Sequence, residues 1–334
     1  MKKRLVLFLS IVLVLTLSLS MFACKNSEYK DTTYTIVAPD GAPSLSIVDL
    51  LVNSKEYDCG KVEAKVVAPS TISTEAVSSD FAVVPANLAA NLFNKGKEIK
   101  LIASVTNGNL YMISSKEGTI TDLEQLKGKL IYSIGKGAVP DLVFKSLLKN
   151  AQIEVEEGDE AKEGKVVISY KDQGSEVIPL VVAAKNKGEE VYGILGEPAV
   201  TNAKSKGVFE SYDLQSAWKT YTNSSIDGYP QAVLIAKKSI CENNPEIVSA
   251  VVESLKNSKN VLISNNEESL AAIKNSYEST SLPAKLPETV INRCNINVVE
   301  TANNKEYFVK LYSDIFSINP VAIGGQLPSD TLYY

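Results

Sequence analysis

The chain has 334 residues, of which 45% are hydrophobic and 22% charged, and its formal net charge is −5. That is a globular, acidic composition, and it argues against nucleic acid as a partner. Histidine is absent, which excludes Ser–His–Asp and Cys–His catalysis and removes the commonest metal ligand, so neither a metal nor a cofactor is expected.

The first stretch is a leader. Lys2, Lys3 and Arg4 precede an apolar run from Leu5 to Ala23, which ends Met21-Phe22-Ala23-Cys24. A basic start, an apolar core and a small residue make a secretory signal. The cysteine directly after the small residue resembles the lipobox of bacterial lipoproteins, with Met21 where leucine is commoner. Residues 1–23 are therefore expected to be a signal peptide with lipobox, Cys24 the lipidation site and 24–32 a tether. The competing reading is an uncleaved anchor helix, since nineteen residues at 1.5 Å each cover about 28 Å. Either way the folded part is expected at the cell membrane, held there outside the cytoplasm.

About 310 residues follow, enough for two domains. Thr33–Ala38 alternates like a strand and runs into Pro39-Asp40-Gly41-Ala42-Pro43-Ser44, followed by an apolar helix over Leu45–Val52. Strands follow at Val62–Ala68, Phe81–Val84 and Ile99–Ser104, with a helix over Leu88–Asn94 opened by Pro85-Ala86-Asn87. After Val105–Asn109 the layout begins again. Leu110–Ser114 is a strand, and Thr121–Lys127 is a short helix with Thr121 as cap and Glu124 completing a capping box. Strands at Leu130–Ile134, Val166–Tyr170 and Val191–Leu195 alternate with helices at Asp141–Lys149, Ser175–Asn186 and Ala199–Lys206. Val208–Leu214 is a last strand of this run. Gln231–Ala236 is a strand, and from Pro245 the chain is mostly helical: Pro245–Ile263, Glu267–Tyr277, Pro287–Cys294 and Asn304–Phe316.

Two βα runs side by side predict an α/β protein with two parallel-type, doubly wound sheets. Crossovers near Thr106 and Tyr229 would join them into two lobes, 33–106 with 229–334 as lobe I and 107–228 as lobe II. In such sheets a ligand binds beyond the carboxyl ends of the strands, where helix N-termini offer unpaired N–H groups. The junctions there give the candidate ligand-binding residues: Asp40, Gly41, Ala42, Pro43 and Ser44; Pro85 and Asn87; Thr106, Asn107 and Asn109; Gly137, Ala138 and Val139; Glu197; and Tyr229. Each also has a plainer reading as a turn, a helix cap or loop polarity. Trp218 reads as packing rather than as cleft lining. Gly135-Lys136-Gly137 lacks the dinucleotide and P-loop patterns. Arginine occurs only as Arg4 and Arg293, so no guanidinium clamp for an anion is evident. Cys59, Cys241 and Cys294 form no C-x-x-C pair, and their spacing leaves open one disulfide plus a thiol or three free thiols.

Phe81–Gly96, Leu110–Ser115, Asp122–Ile134, Val191–Ala203 and Tyr229–Lys238, in that order, resemble the solute-binding lipoproteins of ABC importers, of the nitrate/sulfonate/taurine and thiamine-precursor type. The resemblance covers nearly all of the chain after the leader. It implies a type II periplasmic-binding-protein fold that closes like a hinge on a small-molecule solute, as a monomer, and delivers it to a membrane permease without being an enzyme. Helix N-termini suit a small oxyanion or sulfonate. Glu197 with Tyr229 suits a nitrogen heterocycle such as a thiamine precursor. The rival readings are a surface adhesin lipoprotein and an enzyme on the same fold of the menaquinone-pathway type. The leader makes a direct prediction: Cys24→Ala moves the protein out of the detergent phase in phase partitioning, and unchanged partitioning overturns lipidation.

Overall fold

The computed structural model describes residues 31–53 and 56–334. The leader, Cys24 and most of the tether lie outside the described residues. Among the described residues no helix is long and apolar enough to cross a membrane.

Two sheets organise the chain. The first contains β1 (Thr33–Pro39), β2 (Glu56–Tyr57), β3 (Gly60–Val67), β4 (Phe81–Pro85) and β5 (Ile99–Thr106). The second is built from β6 (Leu110–Ser114), β7 (Leu130–Ile134), β8 (Val155–Glu157), β9 (Val166–Lys171), β10 (Tyr192–Gly196) and β11 (Phe209–Asp213). The chain then returns to the first sheet as β12 (Ala232–Lys237) and β13 (Ile296–Glu300). The strand orders are β13-β5-β12-β4-β1-β3-β2 and β11-β6-β10-β7-β9-β8.

The helices are α1 (Val48–Asn53), α2 (Ile72–Ser78), α3 (Ala86–Asn94), α4 (Val139–Asn150), α5 (Gly174–Lys187), α6 (Ala199–Ser205), α7 (Leu214–Thr222), α8 (Lys238–Asn243), α9 (Pro245–Ser264), α10 (Asn266–Ser276), α11 (Glu288–Arg293) and α12 (Thr301–Ile318). They cover both faces of the sheets. Along β1, Tyr34, Ile36 and Ala38 point into one apolar cluster with α9, while Val37 points into another with α3 and α12. That two-sided burial is why the strand segments read as near-continuous apolar runs.

Both sheets are mixed, which corrects the expectation of parallel-type sheets. β1 pairs with β3 and β4 in parallel, but β12 runs antiparallel to both β4 and β5. In the second sheet β6 is antiparallel to β10. The cause is the crossover itself. A strand arriving directly from the other sheet enters at the edge where the parallel strands end, so it must run away from that edge. β5 passes to β6 through Asn107–Asn109 alone.

Several local readings also change. The turn after Ser115 is a 3-10 turn over Leu123–Leu126, capped by Asp122 with Gln125 completing the box, rather than by Thr121 with Glu124. The short strands β2, β8 and β13 and the short helices α2, α7 and α8 were not predicted. The three cysteines in the described residues are unpaired and buried. Trp218 packs edge-on against Tyr221 and Tyr229. The C-terminal tail is tied to the first sheet, with the Tyr334 amide donating to the Leu101 carbonyl at 3.0 Å.

The return crossover leaves no space for a side chain at Gly228. Its φ is +78°, and a Cβ there would lie 1.8 Å from the Asn107 carbonyl oxygen. Gly228→Ala should therefore cost more than about 2 kcal/mol in denaturant unfolding. Gly96→Ala, at φ +79° with nothing within 4 Å, should cost only about 1 kcal/mol.

Candidate ligand-binding site

Strand register sets the geometry of the site. Along the first sheet, Pro85 lies opposite Ala232, Ala232 opposite Thr106, and Thr106 opposite Ile296. Along the second, Gly196 lies opposite Leu110, and Tyr111 is flanked by Leu195 and Asp213. These are the edges where the parallel strands end, and the two crossovers join them. There the Asn109 amide N–H donates to Gln231 Oε1 at 3.1 Å, and Gln231 Nε2 donates back to Asn109 Oδ1 at 2.8 Å.

The crossover residues are occupied internally. Asn107 Oδ1 accepts from Ser104 Oγ at 2.6 Å and from the Tyr307 hydroxyl at 3.0 Å, while its Nδ2 donates to the Asn297 carbonyl at 2.6 Å. Thr106 Oγ1 accepts the Ala232 amide at 3.1 Å. Tyr229 is fully buried, its ring against Gly108 and its hydroxyl 3.4 Å from Gln215 Oε1. Burial pushes that hydroxyl well above the usual tyrosine range. Thr106, Asn107 and Tyr229 thus build the joint, with their polar side-chain atoms already paired.

The loop after β1 is also committed to the fold. Asp40 accepts the Ser281 amide and hydroxyl, both at 2.8 Å, and Ser44 Oγ donates to the Gly41 carbonyl at 2.8 Å. Gly41 adopts φ +99°, and Ala42 and Pro43 open the 3-10 turn over Ala42–Ile47. Gly137, Ala138 and Val139 lead into α4, where Asp141 accepts the Gly137 amide at 2.8 Å, the Tyr170 hydroxyl at 2.5 Å and Lys145 Nζ at 3.2 Å. Gly137 lines a cavity of about 630 Å³ with Lys136, Lys145, Lys149 and Glu157, which neither Glu197 nor Asn87 lines.

Two predicted residues stand out. Asn87, in the first turn of α3, has a buried Oδ1 without a hydrogen-bond partner. Such an orphan acceptor costs about 1–3 kcal/mol and invites a donor. Helix α3 has no side-chain cap, its Ala86 amide donating to the Gln231 carbonyl at 3.1 Å, and α5, with Glu176 in its first turn, has none either, so no side chain closes either N-terminus.

Glu197, at the end of β10, has a side chain with 0% exposure. Thr201 donates to it through its amide and its hydroxyl, each at 3.1 Å. Asn109 holds its backbone on both sides, at 3.1 Å each. Its carboxylate is not open to a ligand, because Arg293 Nε donates to Oε1 at 2.6 Å. Arg293 extends further, with Nη1 and Nη2 donating to Glu210 at 3.2 and 2.9 Å as a fork. The guanidinium carbon lies 3.7 Å from the centroid of the Tyr111 ring.

Sequence reasoning missed Arg293, Tyr111, Glu210 and Thr201. The one available signal was that Arg293 is the single arginine after Arg4 in a lysine-rich chain. Burial pulls the Arg293 pKa down, but its bonds to Glu197 and Glu210 outweigh this and raise it. Burial pushes the Tyr111 hydroxyl up to about 12 even with Arg293 opposing. Glu210 is raised by burial, yet Lys204 and Arg293 together bring it below the usual glutamate value.

A model of the NMT1/THI5-like family matches residues 62–269. The chain belongs to the NMT1/THI5-like family. No curated protein matches the chain. Among solved structures, an ABC transporter protein from Parabacteroides distasonis is 22% identical, covering 91% of this chain and 99% of its own, with a TM-score of 0.72. The periplasmic aliphatic sulphonate binding protein SsuA of Escherichia coli is 15% identical, over 89% of this chain and 92% of its own, with a TM-score of 0.61. The alkanesulfonate-binding protein SsuA of Xanthomonas axonopodis pv. citri, bound to MOPS, is 12% identical, over 91% and 99%, with a TM-score of 0.55. At these identities the likeness is one of fold, and the fold is that of the periplasmic binding proteins.

The depressed Glu210 pKa carries a signed consequence. A carboxyl with a lower folded than unfolded pKa adds stability above the unfolded value and loses it as pH falls through the folded one. The melting-temperature difference between the wild type and Glu210→Gln should be constant well above the usual glutamate pKa and shrink as pH falls below it. A difference independent of pH would remove Glu210 as a charged partner.

Proposed function

We propose that this chain is the extracytoplasmic solute-binding component of an ABC importer. It is anchored to the cell membrane through Cys24, and it passes a small molecule from the cleft between its two sheets to a permease. What carries the reading is the joining of two strand-end edges by a pair of short crossovers, with uncapped helix N-termini and the orphan acceptor of Asn87 on those edges. Membership of the NMT1/THI5-like family and the periplasmic-binding-protein fold support it. In this reading the chain binds and releases its solute unchanged, and no residue acts as a catalyst.

The ligand class follows from the charges. Glu197 is neutralised by Arg293 and Tyr229 is enclosed, so the pair that would suit a cationic nitrogen heterocycle is already committed. The uncapped N-termini of α3 and α5 favour an oxyanion. Asn87 Oδ1 asks for a donor, which a bare sulfonate lacks. A small sulfonate that also carries an N–H or O–H group satisfies both demands. The names of the E. coli and X. axonopodis structural relatives, sulfonate-binding proteins, agree with this class.

Thermal-shift and calorimetric titration with taurine, ethanesulfonate, nitrate and an aminopyrimidine tests it. Taurine should raise the melting temperature most, since a ligand at a hundred times its Kd adds about 2.7 kcal/mol. Asn87→Ala should reduce taurine affinity by roughly tenfold while leaving ethanesulfonate unchanged. A shift from the aminopyrimidine alone would replace the sulfonate class with the heterocycle, and no shift from any solute would count against transport.

A further inference from the structure

We propose that Arg293 is a latch that holds the two sheet units closed on one another before a solute arrives. The inference rests on the reading of the molecule as a hinged binding protein, and it names the residue that sets the resting angle.

The argument begins with where Arg293 is rooted and where it reaches. It is the last residue of α11, and the chain enters β13 of the first sheet at Ile296. Its partners belong to the second sheet: Glu197 just after β10, Glu210 on β11 and Tyr111 on β6. Grip is applied at both ends of the residue, because the Tyr111 hydroxyl also donates to the Arg293 carbonyl at 3.3 Å. Three guanidinium N–H groups are used in one plane, with the ring of Tyr111 covering the flat face. A lysine cannot reproduce that arrangement, since one ammonium cannot supply a fork and a third donor in fixed directions.

The latch lies on the face of the molecule that is able to open. On the other face one apolar cluster runs through both sheets, from Val84 and Leu101 to Met112 and Phe144, with Tyr312 of α12 within it. Parting the units there would expose packed apolar surface to water. Tyr111 belongs to a different cluster, with Ile113, Leu195 and Val200 on the opposite side of the second sheet. The crossing contacts of Arg293 on that side are its ion pairs, its stacking on Tyr111 and one hydroxyl–carbonyl bond, so water and counter-ions can take the place of most of them. Opening therefore pivots on the apolar face and separates Arg293 from Glu210 and Glu197. Glu197 has no exposure in the closed form, so its separation leaves a carboxylate that Thr201 alone must hold until water enters. That cost biases the empty protein toward the closed form.

The test measures the angle rather than binding. Spin labels on Ser70→Cys and Lys206→Cys, both exposed and one on each unit, report the distance between the units by double electron–electron resonance. Without any added solute, the otherwise wild-type pair should give one short distance. Arg293→Gln should raise the longer-distance fraction by about threefold or more, and Arg293→Lys should fall between. Circular dichroism and the melting curve establish that each variant is folded. If Arg293→Gln does not fold, Glu210→Gln removes the fork while leaving Glu197 paired, and it should lengthen the distance in the same direction. A folded Arg293→Gln protein, or failing that Glu210→Gln, with the wild-type distance overturns the latch. Because no solute is present, this outcome is separate from a failure of the transport reading, which titration with taurine decides.

Discussion

Two stretches of backbone cross between the sheets inside a packed interior, and every polar group on them must be paired there. This constraint explains the composition of the joint. Buried N–H and C=O groups without partners are costly, and short crossover strands cannot satisfy one another as a full ladder would. Side-chain amides fill the gap. Asn107, Asn109, Gln215, Gln231 and Asn295 each bond to backbone across the joint. Gly108 and Gly228 supply the close approach that any Cβ would block. The antiparallel sense of β6 and β12 follows from the same crossings.

On that joint the electrostatics are arranged asymmetrically. Glu197 is the most enclosed carboxylate at the strand ends, and it is matched by the one arginine of the folded chain. Glu210 takes the other side of the same guanidinium. The helix starts at Ala86 and Gly174 have no side-chain cap, whereas Asp141 already occupies the start of α4. In the proposed binding reading, paired carboxylates and uncapped helix N-termini favour an anionic solute over a cationic one. The orphan acceptor of Asn87 adds a demand for a donor, and the two together narrow the class further than either does alone.

Much of the architecture was legible in the residues because it depends on short-range pattern. Apolar runs bounded by Pro, Gly and Asn marked most of the strands, and the long C-terminal helices showed their period plainly. The shift of the capping box from Thr121 to Asp122 is a matter of one residue. Asp122 has the extended backbone of a cap, and both it and Thr121 carry a capping oxygen. The strands β2, β8 and β13 escaped notice because they are short edge pieces of two to five residues, too brief to show an alternating pattern.

The candidate site divides along the same line. Proline, glycine and asparagine at strand ends announced the junctions that tertiary structure then set along two edges, since turn chemistry is local. Whether a polar residue at such a junction is spent on the fold or left free was beyond the sequence. Asp40 is spent on Ser281 and Asn107 on Tyr307 and Asn297, partners about 190 to 241 positions away, and Tyr229 is spent on the interior. Asn87 alone among the predicted residues keeps a buried unpaired atom. The sequence by itself determined that this is a two-sheet α/β chain with a short list of strand-end loops, because those features come from periodicity and local backbone preference. Only the tertiary structure decided that Arg293 and Glu197 meet, since an ion pair 96 residues apart has no signature in either neighbourhood and exists only once both sheets are in place.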